Sequence, residues 1–414
     1  MIKLPLEIIQ LLWSSGSNKV EHLNGFATEF NEATFDIAST SPFVIQTNNT
    51  KILLTRDEND PYITNYQYAV LTNKKPRKSE FLKGNILSIR WIKHPKFSTW
   101  HPNEITASWR GKFLYKKEDI QNSIFGLRAP QLGAIYAFMS KAQIHHGRNI
   151  IVMPTGTGKT ETMLSILIAN QCTKVLVTVP SDALREQLSN KFITLGILPK
   201  YGIVADDCNY PNVGVVKEGM DYNSWHSLIE ESNVIITTMP LITNCEPMII
   251  DLLKENISHL FVDEAHHSEA KTWSNFIDTF DDEKVTLFTA TPFRNDSRRL
   301  RGEFIYNFSL KDAQSQGYYK SIKFIPIREY DLIQADQHIA EVAVNQLRSD
   351  IENGYDHILM ARCSTKQRAK EVMEIYQQYS DLNPVMVFSS MSNQKVILNN
   401  IKAKKHKIIV CVNM

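Results

Sequence analysis

The residues best suited to chemistry lie in the segment 149–161, which reads NIIVMPTGTGKTE. Gly156 and Gly158 permit a tight turn whose backbone N–H groups point inward at phosphate oxygens. Lys159 can reach the outer phosphates of a nucleotide, and the Thr160 hydroxyl can bind Mg²⁺. An apolar run before the turn predicts a buried strand, and periodic apolar residues after it predict a helix. This order of strand, turn and helix is the context in which a phosphate-binding loop occurs.

The loop departs from the general pattern at one position, because Met153 stands where GxxxxGK[ST] has its first glycine. A glycine-rich turn that binds no nucleotide is therefore the alternative for this segment taken alone. The phosphate-loop interpretation gains support if a second strand delivers carboxylates for the metal ion and for an attacking water molecule.

Two adjacent acids, Asp263 and Glu264, supply that second component, since they end an apolar strand pattern that includes Phe261 and Val262. Asp263 would bind Mg²⁺, and Glu264 would orient and deprotonate the water that attacks a phosphate. An acid pair that only caps a helix is the alternative interpretation. The strand before the pair, and His266 after it, favour the catalytic interpretation.

A scaffold that brings several strand ends together is needed to position these residues. From residue 123 onward, apolar strand patterns alternate with helical patterns, which predicts an α/β fold with a parallel sheet covered on both faces. Strands are expected at 150–153, 174–179 and 233–238 and in the segments 259–267 and 285–292. A second series of strands is expected at 322–327, 357–361, 385–389 and 407–412.

Three units are expected: a basic, mostly β accessory module over residues 1–122, an α/β domain over 123–318, and a partial α/β domain over 319–414. The accessory module should open with an amphipathic helix over residues 1–13. Its short strands are expected at 33–38, 42–46, 51–55, 66–71 and 85–92.

Positive charge is concentrated in the segment 74–117, which holds twelve Lys and Arg residues and two acids, although the whole chain carries only +2. A basic segment of this kind suggests a polyanionic partner such as nucleic acid. Trp91, Trp100 and Trp109 interleave with the basic residues and could stack on bases. The alternative is that these tryptophans fill a core and the lysines form a solvated face.

Composition excludes several classes of protein. The five cysteines are scattered, without a CxxC pair or a metal-ligand spacing, so we expect free thiols and a cytoplasmic protein. The chain contains neither a signal peptide nor an apolar run of 18 residues, so no membrane partner is expected.

Together these motifs resemble superfamily 2 helicases and translocases of the DEAH-box group. The resemblance covers roughly residues 124–414 and is closest to the motor subunits of type I and type III restriction enzymes, the ResIII family. The matching segments are 130–131, 154–160 (motif I), 179–188 (motif Ia), 237–240 (motif Ib), 263–266 (motif II), 289–294 (motif III) and 359–365 (motif IV).

The resemblance implies two RecA-like domains, one complete and one partial, with ATP and Mg²⁺ as cofactors. Catalysis would depend on Lys159, Asp263, Glu264 and His266, and Mg²⁺ would bind Thr160 and Asp263. Gln131 would read adenine, and the other nucleotide contacts would come from Pro154, Thr155, Gly156, Thr157, Gly158, Lys159, Thr160 and Glu161.

The resemblance also implies residues that couple the nucleotide to a nucleic-acid track. Thr289 and Thr291, with His266, would sense the outermost phosphate. Ser181, Arg185, Thr238 and Arg362 are candidates for contacts to the nucleic-acid backbone, against the alternative of simple surface or core roles. Such contacts carry little sequence information.

In the resembled family, further motifs of the second domain follow the strand pattern seen here at 408–412, and one of them supplies an arginine finger. We therefore expect a second domain truncated at residue 414, and weak ATP hydrolysis. An arginine finger contributes about 10³–10⁵ in rate in other nucleotide hydrolases.

The leading functional hypothesis is an ATP-dependent motor on nucleic acid, with DNA favoured over RNA and a role in bacterial restriction or phage defence. A regulated ATP-binding switch that gates a partner nuclease is the first alternative. An RNA helicase is the second, and a nucleic-acid-binding module with an inactive ATPase is the third. Any nuclease or other defence subunit would be a partner, because residues 1–122 show no nuclease constellation.

Overall fold

The structure is a computed structural model, and it describes much of the chain in eleven segments. These are residues 7–26, 42–47, 50–73, 89–98, 100–141, 147–267, 271–291, 300–320, 322–388, 391 and 393–412. Two units are separated by their internal contacts, Met1–Lys320 and Ser321–Met414.

Strands of the first unit account for two sheets. They are β1 (Glu7–Ser15), β2 (Asn18–Phe26), β3 (Phe43–Gln46), β4 (Lys51–Thr55), β5 (Tyr68–Thr72), β6 (Ile89–Lys93), β7 (Asn149–Val152), β8 (Val175–Val179), β9 (Val213–Val215), β10 (Val234–Thr238), β11 (His259–Val262), β12 (Val285–Thr289) and β13 (Glu303–Asn307).

Helices of the first unit lie mainly between these strands. They are α1 (Pro102–Ser108), α2 (Ala129–Lys141), α3 (Lys159–Ala169), α4 (Asp182–Thr194), α5 (Tyr222–Glu231), α6 (Met239–Ile242), α7 (Pro247–Asn256), α8 (Lys271–Ile277) and α9 (Leu310–Ser315).

The large sheet has nine strands in the order β1-β2-β9-β10-β8-β11-β12-β7-β13. All pairings from β9 to β13 are parallel, whereas β1 and β2 join as an antiparallel pair at the β9 edge. Every residue of β7, β8, β10 and β12 is buried. Continuous apolar runs are typical of parallel strands that are covered on both faces. The predicted α/β class with a parallel sheet is confirmed.

Parallel pairing fixes where the functional residues lie. Val152 at the end of β7 pairs with Thr289 at the end of β12, and Val262 at the end of β11 pairs with Thr178 in β8. The loops that follow these strands therefore leave the sheet at one edge, the carboxyl edge, which is where open α/β sheets bind ligands.

Two apolar cores flank the sheet. Phe261 and Phe288 belong to the core that also packs α2, α3 and α4, and their rings meet edge to face with centroids 5.4 Å apart. The core on the opposite face is packed by α5, α7 and α8 and includes the fully buried Trp225.

The small sheet has the order β3-β4-β5-β6 and buries Trp91 between its strands and Ile8 of β1. Trp109 is also buried, and its indole N–H donates to the Asn209 carbonyl at 2.8 Å. The core-filling alternative therefore holds for Trp91 and Trp109, while Trp100 is 44% exposed. Part of the basic segment, 74–88, lies outside the described residues.

Several predicted elements need correction. An amphipathic helix over residues 1–13 is wrong, because Glu7–Ser15 is strand β1, whose apolar residues pack beside β2 and β6. The strand predicted at 322–327 is also wrong: this segment pairs with no described strand. The predicted strand 33–38 lies outside the described residues, and β9 and β13 were not predicted.

The second unit holds a parallel sheet in the order β14-β16-β15. Its elements are α10 (Leu332–Glu352), β14 (Leu359–Cys363), α11 (Lys366–Tyr376), β15 (Val385–Val387), α12 (Gln394–Lys402) and β16 (Ile408–Val412).

All five cysteines of the chain are free thiols. Among the described helices, none has the length and apolar character needed to cross a lipid bilayer.

We expect Phe261→Ala to lower the free energy of unfolding of the first unit by about 3–5 kcal/mol, because it leaves a cavity at the centre of the sheet. Tryptophan fluorescence during urea unfolding measures this unit selectively, since all six tryptophans lie before residue 320. The control is Phe125→Ala, which truncates a ring that is 64% exposed. Equal losses for the two variants would contradict the central role of Phe261.

Candidate active site

The phosphate-binding loop curls between β7 and α3. Gly156 and Gly158 adopt left-handed backbone angles, with φ of 82° and 97°. A Cβ atom on Gly158 would lie 2.1 Å from the side-chain nitrogen of Gln131, so no larger residue fits there without moving that side chain. The loop opens at the N-terminus of α3, where backbone N–H groups and the helix dipole favour an anion.

Gln131 and Arg128 brace the loop from α2. The Gln131 side chain is buried, donates to the Gly158 carbonyl at 3.3 Å and accepts from the Arg128 backbone N–H at 2.8 Å. The Arg128 guanidinium donates to the Gly156 carbonyl at 2.8 Å. Both glycine carbonyls are therefore held from one helix start.

Lys159 meets the two acids of motif II. Its Nζ lies 2.6 Å from a carboxylate oxygen of Glu264 and 3.8 Å from one of Asp263. The Lys159 side chain is only 8% exposed, so this charge is balanced almost entirely by the two carboxylates. The structure thus brings together three of the four residues that the resemblance assigns to catalysis, and these three come from two separate segments.

The buried Asp263 carboxyl has a raised pKa. Burial raises its pKa, the Lys159 ammonium lowers it, and the neighbouring Glu264 carboxylate raises it again. Glu264 has a left-handed backbone with φ of 49°, and its N–H donates to a carboxylate oxygen of Asp263 at 2.9 Å. Strain of this kind at a non-glycine residue is typical of functional sites.

A polar chain runs from Glu264 to motif III. The His266 ring Nδ1 lies 3.4 Å from Glu264 and 3.5 Å from the Thr289 hydroxyl. That hydroxyl donates to the Thr291 carbonyl at 3.1 Å and accepts from the Thr291 N–H at 3.2 Å. The rest of the predicted motif III, residues 292–294, lies outside the described residues.

A cavity of about 810 Å³ opens over the loop and is lined by both acids, by Gln131 and by an aromatic wall. Phe125 and Tyr201 form that wall, with stacked rings 5.0 Å apart. A volume in this range suits a drug-sized or nucleotide ligand.

The loop and its neighbours fit a nucleotide with Mg²⁺. Gly156 and Gly158 line the same cavity as Thr160 and Asp263, whose side chains end in oxygen atoms. Oxygen donors of this kind suit Mg²⁺. Among the described residues, no group of three or more His, Cys, Asp or Glu side chains is placed to hold a metal.

The remaining predicted nucleotide-contact residues differ in how they are used. The Thr157 hydroxyl is buried and donates to the Pro154 carbonyl at 2.6 Å, so it shapes the loop from inside. Glu161 is buried and paired with Lys191 at 2.5 Å. Thr155 is exposed at the mouth of the cavity.

Three of the four predicted nucleic-acid residues come together away from the nucleotide cavity. Ser181 caps α4, Arg185 lies one turn further along that helix, and Thr238 ends β10; all three line one cleft. Arg362 lies on β14 in the second unit.

Sequence analysis missed Arg128, Lys191 and the Phe125–Tyr201 pair. It also missed Tyr319, whose hydroxyl lies 3.1 Å from where a Cβ on Gly156 would be. These residues lie outside the matching motifs, and only the position of Arg128 just before the Pro130 helix start offered a signal.

Comparison with known proteins supports the motif assignment. Residues 124–294 match the family described as "Type III restriction enzyme, res subunit". The matched segment begins just before Phe125, contains the phosphate loop and motif II, and ends after motif III. No protein with a curated description matches the chain.

Solved structures resemble the chain more distantly. Mycobacterium smegmatis helicase Lhr, bound to ssDNA and AMP-PNP, has a TM-score of 0.45 at 14% identity, covering 77% of this chain and 42% of its own. The Pyrococcus furiosus Hef helicase domain has a TM-score of 0.39 at 16% sequence identity, over 67% of this chain and 85% of the Hef chain. T4 UvsW has a TM-score of 0.30 at 14% sequence identity, over 75% of this chain and 61% of the UvsW chain.

This chain therefore spans less than half of the Lhr chain, and none of the three TM-scores reaches 0.5. The sequence match therefore carries the comparison: residues 124–294, which contain the phosphate loop and the acid pair, are similar to the family of the type III restriction enzyme res subunit.

Proposed function

We propose that this chain is an ATP-driven helicase or translocase that acts on DNA in the cytoplasm and serves as the motor of a bacterial restriction or phage-defence system. The proposal includes Mg²⁺ as the metal and a nuclease or other defence subunit as a partner. It also keeps the three-part division into an accessory module over 1–122 and RecA-like domains over 123–318 and 319–414.

The observation that carries the proposal is the convergence of Lys159, Asp263 and Glu264 at the carboxyl edge of one sheet. A lysine at a phosphate loop and an acid pair at the end of a neighbouring strand are the parts that a nucleotide hydrolase needs. The His266–Thr289 contact leads from this site toward motif III.

Bound ATP–Mg²⁺ would supply the phosphoanhydride bond whose cleavage drives the motor. Lys159, released from Glu264, would neutralise charge on the outer phosphates. Glu264, freed from the ion pair, would accept a proton from the attacking water. Thr160 and Asp263 would hold the metal, and Gln131, already fixed against Gly158, would face the base.

The DNA assignment draws on the family, since a res subunit is a component of restriction enzymes, and on the basic segment 74–117. Four cations among the described residues of this segment already make internal contacts: Lys112 pairs with Asp207, Lys116 donates to the Tyr201 carbonyl, Lys93 donates to the Ile63 carbonyl, and Arg90 pairs with Glu58. Its charge therefore serves partly to hold the fold.

The proposal is tested by ATP turnover of the 414-residue chain with single-stranded DNA, double-stranded DNA and RNA in turn. Stimulation by DNA above RNA supports the DNA motor, and stimulation by RNA alone replaces it with an RNA helicase. Because turnover of this chain is expected to be weak, binding of each nucleic acid is measured beside it, and ATP binding without binding of any nucleic acid contradicts the motor and favours a switch that gates a partner. Strand displacement, measured in parallel, separates a helicase from a translocase.

We expect Glu264→Gln to retain nucleotide binding while turnover falls by about 10²–10⁴, because it removes the base but keeps the shape of the side chain. Lys159→Ala should instead weaken nucleotide binding, measured with a fluorescent ATP analogue, by at least about tenfold. Lys254→Ala, which breaks a surface pair with Asp251, is the control and should change neither quantity. Full turnover in Glu264→Gln would contradict the assignment of the base.

We expect Thr289→Val to reduce the stimulation of ATP turnover by nucleic acid by about 5–150-fold, a typical range for coupling between two sites. Basal turnover should change much less, because the phosphate loop is intact. Thr286→Val is the matched control: it lies on the same strand, is equally buried, and its hydroxyl has no hydrogen-bond partner among the described residues. If both variants behave alike, Thr289 does not couple the two sites.

A further inference from the structure

The last segment of the first unit folds back against the phosphate-binding loop. After β13, the Phe308 N–H donates to the Val152 carbonyl at 2.9 Å, at the end of the strand that leads into the loop. The short helix α9 follows, and a capping box between Ser309 and Asp312 starts it. None of the residues 308–320 belongs to the matching motifs of the sequence.

The end of α9 fixes the backbone at Tyr318. The Tyr318 N–H donates to the Ala313 carbonyl at 2.9 Å, and the Gly317 N–H donates to the Gln314 carbonyl at 3.1 Å. Gly317 has a left-handed backbone with φ of 78°. Two such bonds and a left-handed glycine are the features of a Schellman motif, which satisfies the last carbonyls of a helix. Local structure therefore determines where Tyr318 leaves the helix.

The Tyr318 side chain holds two charged groups that line the nucleotide cavity. Its hydroxyl donates to a carboxylate oxygen of Glu118 at 3.0 Å, and the Arg128 guanidinium lies over its ring, 5.5 Å from the centroid. A cation over an aromatic ring is attracted by the negative face of that ring. Glu118 and Arg128 are both among the residues that line the cavity, whereas Tyr318 is not. Tyr318 therefore supports the cavity wall without facing the nucleotide.

The Tyr318 phenol is suited to this role at neutral pH. Burial raises its pKa, and the hydrogen bond to Glu118 raises it further. The phenol therefore stays protonated and remains a donor to the Glu118 carboxylate.

Arg128 connects Tyr318 to the loop itself. Its guanidinium donates to the Gly156 carbonyl at 2.8 Å. The backbone N–H groups of a phosphate-binding loop point inward at the anion, so a carbonyl of the loop needs a donor from outside the loop. Tyr319 approaches the same glycine, since its hydroxyl lies 3.1 Å from where a Cβ on Gly156 would be. Two consecutive tyrosines thus bear on Gly156, one of them through Arg128.

We propose that Tyr318 is a positioning residue of the nucleotide site, which holds Arg128 against the Gly156 carbonyl so that the loop is preformed for phosphates. Coupling between two positions is reciprocal, so a nucleotide in the loop stabilises the segment 310–320 in return. The first unit ends at Lys320, and this effect therefore extends to the point where the chain continues into the second unit. The inference rests on the proposed function, since it concerns the site for ATP.

The first test measures the affinity of the 414-residue chain for a fluorescent ATP analogue. Tyr318→Leu should weaken binding about three- to thirtyfold, because it removes the ring beneath Arg128 and the hydroxyl that holds Glu118. Tyr318→Phe retains the ring and should recover most of that loss. Tyr222→Leu is the matched control and should leave the affinity unchanged, because Tyr222 is 39% exposed and is not among the residues that line the cavity.

A double-mutant cycle shows whether Tyr318 acts through Arg128. Arg128→Ala should weaken binding of the analogue at least as much as Tyr318→Leu. Adding Tyr318→Leu to Arg128→Ala should then change the affinity little, because both substitutions break one contact. If the two losses multiply instead, the residues act independently and the proposal is wrong.

Amide hydrogen exchange gives a readout that a purely structural role would not change. A saturating concentration of the analogue should slow exchange over residues 310–320 in the unsubstituted chain and in Tyr222→Leu, but not in Arg128→Ala. This comparison needs no substitution within the segment, so it decides the question even where Tyr318→Leu fails to fold.

Two results would overturn the inference alone. One is a Tyr318→Leu variant that keeps the urea midpoint of the unsubstituted chain, followed by tryptophan fluorescence, and binds the analogue as well as Tyr222→Leu does. The other is equal protection of residues 310–320 by the analogue in Arg128→Ala and in the unsubstituted chain. If the unsubstituted chain does not bind the ATP analogue at all, the proposed function fails and this inference fails with it.

Discussion

The candidate active site depends on an ion pair between Lys159 and Glu264 that spans three strands of the sheet. Lys159 follows β7 and Glu264 follows β11, and β12 lies between these strands in the sheet. Neighbouring strands are about 4.8 Å apart, so the two backbones are separated by about 10 Å. The long Lys159 side chain bridges this gap to Glu264, and Thr289 ends the middle strand. The parallel pairing of β7, β12 and β11 is therefore what places Lys159 and Glu264 within reach of each other.

One edge of the sheet carries two sites with different chemistry. The ends of β7, β11 and β12 form the nucleotide cavity, and the ends of β8, β9 and β10 form the cleft with Arg185 and Lys217. The two sets of strands adjoin where β8 pairs with β11, and the Asp263 N–H donates to the Thr178 carbonyl at 2.9 Å across that boundary. The two regions are therefore joined by a backbone hydrogen bond between neighbouring strands.

The sequence predicted the strands correctly where they are buried, because buried strands appear as continuous apolar runs. Strands β7, β8, β10, β11 and β12 are covered on both faces, and each appears as a continuous apolar run. Prediction failed at the margins of the sheet: β9 has three residues, and β13 is partly exposed. The segment 1–13 was read as a helix because amphipathic strands and helices are hard to distinguish over so short a run. In the structure, residues 7–15 pair antiparallel with residues 18–26, so the described part of this segment is a strand.

The sequence by itself determined the reactive groups: a glycine turn with Lys159 and Thr160, an acid pair at 263–264, and an apolar strand before each. These are local features, and local spacing constrains them. The tertiary structure alone decided which distant groups complete them. Asn18 reaches Lys217 across 199 positions of sequence, and Lys159 reaches Glu264 across 105. Hydrogen bonds and ion pairs between such distant residues impose no periodicity on the chain, so no sequence pattern reports them. Lys159 meets Glu264 because parallel strands bring their carboxyl ends to one edge, whereas Asn18 meets Lys217 because β2 pairs antiparallel with β9.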